Sequence, residues 1–175
     1  KNAIAAVERG AHTVDRGVEV SAEAERALKK ILESSQKSTN MVRAIARATV
    51  EQAKGSKQVT DAIGRNDRAR ALTCLANLLD NGQNEVGVLA LISRHVRILR
   101  LVSDGLKEGL AGQKLSSRAG VSPYFLKSYV DQAREWNSTK IDRTFEALLD
   151  TDRALKSSPV ASHIWLENFI IQTCS

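Results

Sequence analysis

The chain has 175 residues, with 26 Lys and Arg against 20 Asp and Glu, 42% hydrophobic residues, 4% aromatic residues and only two prolines. That length accommodates one sizeable core or a domain with an appendage, and a composition rich in Ala, Leu, Arg, Lys and Glu favours helix over a sandwich or barrel of many short strands. The net charge of +6 is evenly spread, with 11 basic and 8 acidic residues in 1–63 and 15 and 12 in 64–175, so no basic tail marks an anionic partner.

The first element is a long helix. Stepping from Ala3 at alternating intervals of four and three gives Val7, Gly10, Val14, Gly17, Ser21, Ala24, Leu28, Ile31, Ser35, Ser38, Val42, Ile45, Thr49, Gln52, Ser56, Val59 and Ile63. None is charged, although 19 of residues 1–63 carry charge and chance would put about five on such a seam. An uncharged seven-residue repeat of this length predicts a coiled-coil helix of about 95 Å over 1–63. Its stripe needs a partner helix, and a homo-oligomer is one arrangement that supplies it. The Gly, Ser, Thr and Gln on the seam suit adjustable packing better than a rigid zipper.

Two pieces of this helix, "AVERGAHTVDRGVE" (6–19) and "IARATVEQAKGSKQVTDAI" (45–63), resemble the cytoplasmic signalling helix of methyl-accepting chemotaxis proteins. That resemblance implies an adaptation site at Glu51 and Gln52, flanked by Ala48, Gly55 and Ser56, where the Glu51 carboxylate would be methyl-esterified. Arg47 departs from the family pattern, and the kinase-contacting tip and antiparallel partner helix are missing. The simpler reading makes Glu51 a solvated helix charge.

From Gly64 the register changes and about six shorter helices come next, giving an all-α chain: a coiled-coil helix over 1–63 and a compact domain over 64–175. "NDRARALTCLANLLDNG" turns Leu72, Leu75, Leu78 and Leu79 inward and ends at Asn81-Gly82. Asn84 caps a helix to about Ser103 with Val88, Leu91, Ile92, Val96, Leu99 and Val102 as its stripe. Gly105, Gly109 and Gly112 are expected to loosen the next segment, and "QKLSSRA" stops at Gly120. Ser122-Pro123 supplies a capping hydroxyl and a proline at the first helical position. Ser138 or Thr139 starts the next helix, with Ile141, Phe145, Leu148, Leu149 and Leu155 inward. Ser158-Pro159 repeats the capping device before "VASHIWLENFIIQTC". The joint "QVTDAIGRNDRARAL" (58–72) reads as a continuous helical joint without a turn.

The order and spacing of "DAIGRNDRARALTCLANLLDNGQNEVGVLALISRHVRILRLV" (61–102), "LSSRAGVSPYFLKSYVDQARE" (115–135) and "LLDTDRALKSS" (148–158) resemble the C-terminal domain of the bacterial DNA polymerase III delta subunit. The resemblance implies a helical collar that packs against the equivalent domains of other clamp-loader subunits, with DNA met indirectly or weakly. With the chemoreceptor-like helix in front of it, the chain reads as a fusion. Its start at Lys1, already within a helix, reads as a fragment.

Other motifs are weaker. "RHVRILR" sets Arg94, Arg97 and Arg100 on one helix face, where they would meet DNA phosphates, acidic groups of a neighbouring subunit or solvent. "LSSRAGVSPYFLKSYV" has the outline of a helix-turn-helix, but Tyr124, Phe125 and Leu126 at the start of its second helix suit core packing better than base contacts. Trp136 and Trp165 read as core or interface anchors. His12, His95 and His163 lack ligand-spaced partners, and Cys74 and Cys174 are a hundred residues apart, so neither a metal site nor a disulfide framework is expected. No nucleotide-binding loop, catalytic order or membrane-length apolar run is present in the sequence. The expectation is a cytoplasmic, non-enzymatic assembly module without cofactor. The alternatives are a methyl-accepting signalling coiled coil with a helical output domain, and a weak helix-turn-helix DNA binder.

Overall fold

A computed structural model describes the backbone of residues 2–174, and the side chains of 7, 8 and 10–174. The first seam position, Ala3, has its side chain outside that set. The described residues form seven α-helices in two units, residues 1–49 and residues 50–175. The all-α expectation holds: a long helix is followed by six shorter ones.

Helix α1 spans Asn2–Gly64. In the first unit every described side chain is exposed, including the seam residues Val14, Leu28, Ile31, Val42 and Ile45. Three of its residues satisfy their hydroxyls locally: Ser21, Thr39 and Thr49 donate to the carbonyls of Gly17, Ser35 and Ile45 four residues back. That habit lets hydroxyl residues recur along one helix without exposing an unpaired donor.

The second unit contains the end of α1 together with α2 (Arg68–Asp80), α3 (Glu85–Lys107), α4 (Gly112–Ala119), α5 (Pro123–Ala133), α6 (Ser138–Ser157) and α7 (Ser162–Thr173). Helix α3 is the centre, packing against α4, α5, α6 and α7, while α7 also packs on α2 and α6. The reason lies in its sequence: Val88, Ile92, Val96, Leu99 and Val102 recur at helical spacing and are all fully buried. Ile141 and Leu148 of α6, and Leu166, Phe169 and Ile170 of α7, complete the core. The seam's last members, Val59 and Ile63, are also fully buried, so the final turns of α1 belong to this core.

Several local expectations change. The joint is not continuous, because α1 ends at Gly64 and Asn66 adopts a left-handed φ of 57°. Asn66 N–H donates to Ile63 O at 3.0 Å and Asp67 N–H to Ala62 O at 2.9 Å, the pair of bonds that closes a helix C-terminus. Asp67 then caps α2 by accepting from Arg70 N–H at 3.0 Å. An asparagine can do here what glycine does at Gly82 after α2, because it tolerates the left-handed region better than most residues.

Gly105 does not loosen α3, which runs through it to Lys107. It is buried, and a Cβ there would lie 2.5 Å from Leu115 Cδ1, so this glycine lets α4 approach closely. Ser122 precedes α5 with proline at the helix start but makes no side-chain cap bond. Helix α6 does begin at Ser138, as expected, and its cap is Asn137, whose Oδ1 accepts from Lys140 N–H at 2.7 Å. Ser158-Pro159 does not open α7, which begins at Ser162; Ser158 Oγ instead accepts from Val160 N–H at 3.1 Å in a short turn. Leu149 is half exposed rather than inward, being one step round the helix from buried Leu148.

Candidate functional site

The side chains with chemistry to offer gather where α1 ends, between α3 and α5. Gly64 is buried, and its carbonyl accepts from the indole Nε1 of Trp136 at 2.9 Å. A Cβ at Gly64 would lie 1.8 Å from Gln132 Oε1 and 2.9 Å from His95 Nε2, so only glycine admits those side chains beside the helix end. Gln132, 2% exposed, is the hub of a polar network. Its amide nitrogen faces Asp61 Oδ1 at 3.3 Å and Ser128 Oγ at 3.1 Å. Because a carboxylate only accepts, that orientation turns the Gln132 carbonyl towards His95 Nε2, 2.8 Å away. His95 Nε2 is then the donor in that bond.

Burial is the main influence on His95 and pushes its pKa below the ordinary 6.5; the Gln132 bond and the Asp61 charge oppose this, and Lys57 adds to it. The Tyr129 ring packs on the imidazole at 5.0 Å between centroids, and burial raises the Tyr129 hydroxyl's pKa. On the other side of the joint, Lys140 Nζ donates to Asn66 Oδ1 at 2.5 Å and sits 5.2 Å from the centre of the Trp136 ring. Desolvation lowers the pKa of Lys140.

Above this network lies a groove of about 390 Å³, lined by the last turns of α1, by α3, and by α5 with the turn before it. Its floor includes Leu91 and Ile98, and Lys57, Asp61, Arg94 and Phe125 also line it. Lys57 and Asp61 pair with each other along α1. Arg94 is exposed, as is Arg97 one turn further along α3.

The structure separates the three arginines of "RHVRILR". Arg100 donates from Nε to Asp104 Oδ2 at 3.0 Å and from Nη1 to Asp142 Oδ1 at 2.5 Å, tying α3 to α6. Those two bonds raise its pKa, with Asp142 contributing most. Arg94 and Arg97 present their charges to solvent instead. Tyr124 and Phe125 are 85% and 43% exposed, so the expectation that they pack in the core does not hold; only Leu126 turns inward. Their rings meet edge to face at 5.0 Å on the surface beside the groove. Trp136 is a core anchor at 2% exposure, whereas Trp165 is half buried.

Glu51 and Gln52 are exposed, and the Gln52 amide nitrogen donates to Gln83 Oε1 in the turn before α3. Of the histidines, His12 and His163 are exposed and His95 is buried with its ring nitrogen bonded. Among the described residues, no group of three or more His, Cys, Asp or Glu is placed to hold a metal ion, and no helix is long and apolar enough to cross a membrane. The sequence reading missed Gln132 and Gly64. A Gly followed two residues later by Asn at a helix end was the available signal for close packing, but nothing in the sequence marks which buried side chain fills the space.

Residues 58–173 match the family described as "DNA polymerase III delta subunit, C-terminal domain". The chain belongs to that family. It is 24% identical over 115 residues to the DNA polymerase III subunit delta of Bacillus subtilis, an alignment covering 66% of this chain and 33% of that protein. It shares its fold with the solved structure of the Bacillus subtilis DNA clamp loader delta protein at a TM-score of 0.63 and 22% identity, over 70% of this chain and 36% of that one. The chain thus spans about a third of the length of these relatives. The family region starts within α1, so Val59 and Ile63 belong to the delta domain's own sequence. These similarities lend no support to a chemoreceptor helix in residues 1–63 or to a fusion.

Proposed function

We propose that this delta C-terminal domain is a collar: a non-catalytic assembly module that packs against other clamp-loader subunits during DNA replication. The observation that carries the reading is the family match across 58–173, which takes in the end of α1 and all six helices of the compact unit. The architecture supports it. The network around Gln132 and Gly64 is structural, locking α1 onto α3 and α5, and leaves the groove face beside it rigid and available. That face brings the exposed rings of Tyr124 and Phe125 beside the cation Arg94, with Arg97 exposed one turn further along α3, a composition that suits a contact with an acidic and apolar neighbour.

The face is better suited to protein than to duplex DNA. Helix α5 begins with Tyr124 and Phe125 rather than with basic residues that reach base edges, and Arg100 is engaged by two aspartates. The test is size-exclusion chromatography with the other loader subunits of the same organism. Co-elution is expected, and the Arg94→Glu/Arg97→Glu variant should weaken it while eluting as the folded parent when run alone. Failure to co-elute where a full delta subunit does would remove the assembly role.

A further inference from the structure

Residues 10–49 of α1 carry a face broader than the seam itself. Assigned to the seven-residue repeat, the two seam positions and the two that flank them account for 24 of these 40 residues, yet only one of the 12 charges, Glu25, lies among them. A random scatter would place about seven there. The other 11 charges fill the 16 outer positions. All nine exposed large apolar side chains of the segment fall on the same face. Val14, Leu28, Ile31, Val42 and Ile45 are on the seam; Val18 and Leu32 are on one flank, Val20 and Met41 on the other.

The width matters physically. A two-stranded coiled coil buries the seam and leaves its flanks to charged residues, which set partner choice and orientation. Here one flank is uncharged and the other carries only Glu25, and both are largely apolar, so that with the seam they span an arc of about 160° at the helical 3.6 residues per turn. Forty residues make a helix about 60 Å long, so one strip about 10 Å wide buries roughly 1,200 Å² between two copies, at the lower limit for a stable interface. A second strip doubles the buried area of each helix and covers Val18 and Leu32 as well as Val20 and Met41.

We infer that residues 10–49 associate with further copies of this chain into a bundle of more than two helices, each helix burying both flanks against different neighbours. A copy of the chain is the fitting occupant because the face has almost no charge with which to reject itself. Copies placed side by side also keep all 11 outer charges in water. This association is independent of the collar reading.

The test is the solution mass of the intact chain by light scattering coupled to size exclusion. A mass at least three times the 19.1 kDa protomer is expected. A monomer or a dimer overturns the inference. Val20→Glu/Leu32→Glu, one change on each flank, should lower the mass to that of a dimer, and Ile31→Glu/Val42→Glu on the seam should lower it to a monomer. Glu33→Lys on the outer face should leave it unchanged. A flank variant that keeps the parent mass also overturns it. The compact unit reports folding in each variant, through the near-ultraviolet signal of Trp136 and Trp165, so loss of assembly is separable from loss of structure.

Discussion

Trp136 and Gly64 lie 72 residues apart and are joined by a hydrogen bond of 2.9 Å from the indole nitrogen to the carbonyl at the end of α1. Both groups are buried, so the bond is made away from competing water. Replacing Trp136 by Phe keeps a ring in the core but leaves the Gly64 carbonyl unpaired and opens space. A loss of about 1–3 kcal/mol in unfolding free energy is expected, measured by urea titration followed by circular dichroism.

Gly64→Ala tests the closeness of the same joint. Its Cβ would collide with Gln132 Oε1, and Gln132 is held in the core by partners on two sides. Overpacking of this kind costs about 1–3 kcal/mol. The histidine resonances should report it independently: once Gln132 is displaced from His95, the imidazole's pH titration should move relative to that of the parent.

Asn66 separates backbone strain from side-chain bonding. Both Asn66→Gly and Asn66→Ala lose the acceptor for Lys140, but only alanine also has to carry a left-handed φ of 57°. The alanine variant should therefore be less stable than the glycine variant by about 1 kcal/mol, read as a difference in urea midpoints. Equal midpoints would show that the left-handed turn contributes nothing.

Acid should weaken the domain through His95. Its folded pKa lies below the ordinary 6.5, so between those two values the unfolded chain binds a proton that the folded chain refuses. Stability contributed by the neutral imidazole is fully present above about 6.5 and is lost as pH falls through that value toward the folded pKa. Asp61 and Lys57 face the ring and modulate the effect in opposite directions. Unfolding midpoints at pH 7.5 and 5.5 should differ more for the parent than for His95→Gln.

Much of the fold was legible because its signals are local. The stripe Val88, Ile92, Val96, Leu99 and Val102 announces α3 and its buried face, and Asn84 and Asn81-Gly82 mark its neighbouring ends. The failures concern choices made by tertiary neighbours. Gly105 looks like a breaker but is a contact point for Leu115, and Ser158-Pro159 looks like a helix start but forms a turn. Tyr124 and Phe125 are apolar at a helix start, yet nothing in their sequence tells whether core or surface receives them. At the candidate site, Arg94 and Arg97 differ from Arg100 only because Asp104 and Asp142 are within reach of the last. Asp142 lies 42 residues away in sequence, so its proximity is visible only in three dimensions.

The most direct measurement is competition for a place in a clamp loader. A loader reconstituted from the other subunits of the same organism is mixed with labelled full-length delta subunit and increasing amounts of this chain, and bound label is read by size exclusion. The chain is expected to displace labelled delta in a dose-dependent way, and Arg94→Glu/Arg97→Glu to displace it less well. Full retention of labelled delta at saturating amounts of the folded chain would contradict the proposal that this domain assembles with clamp-loader subunits.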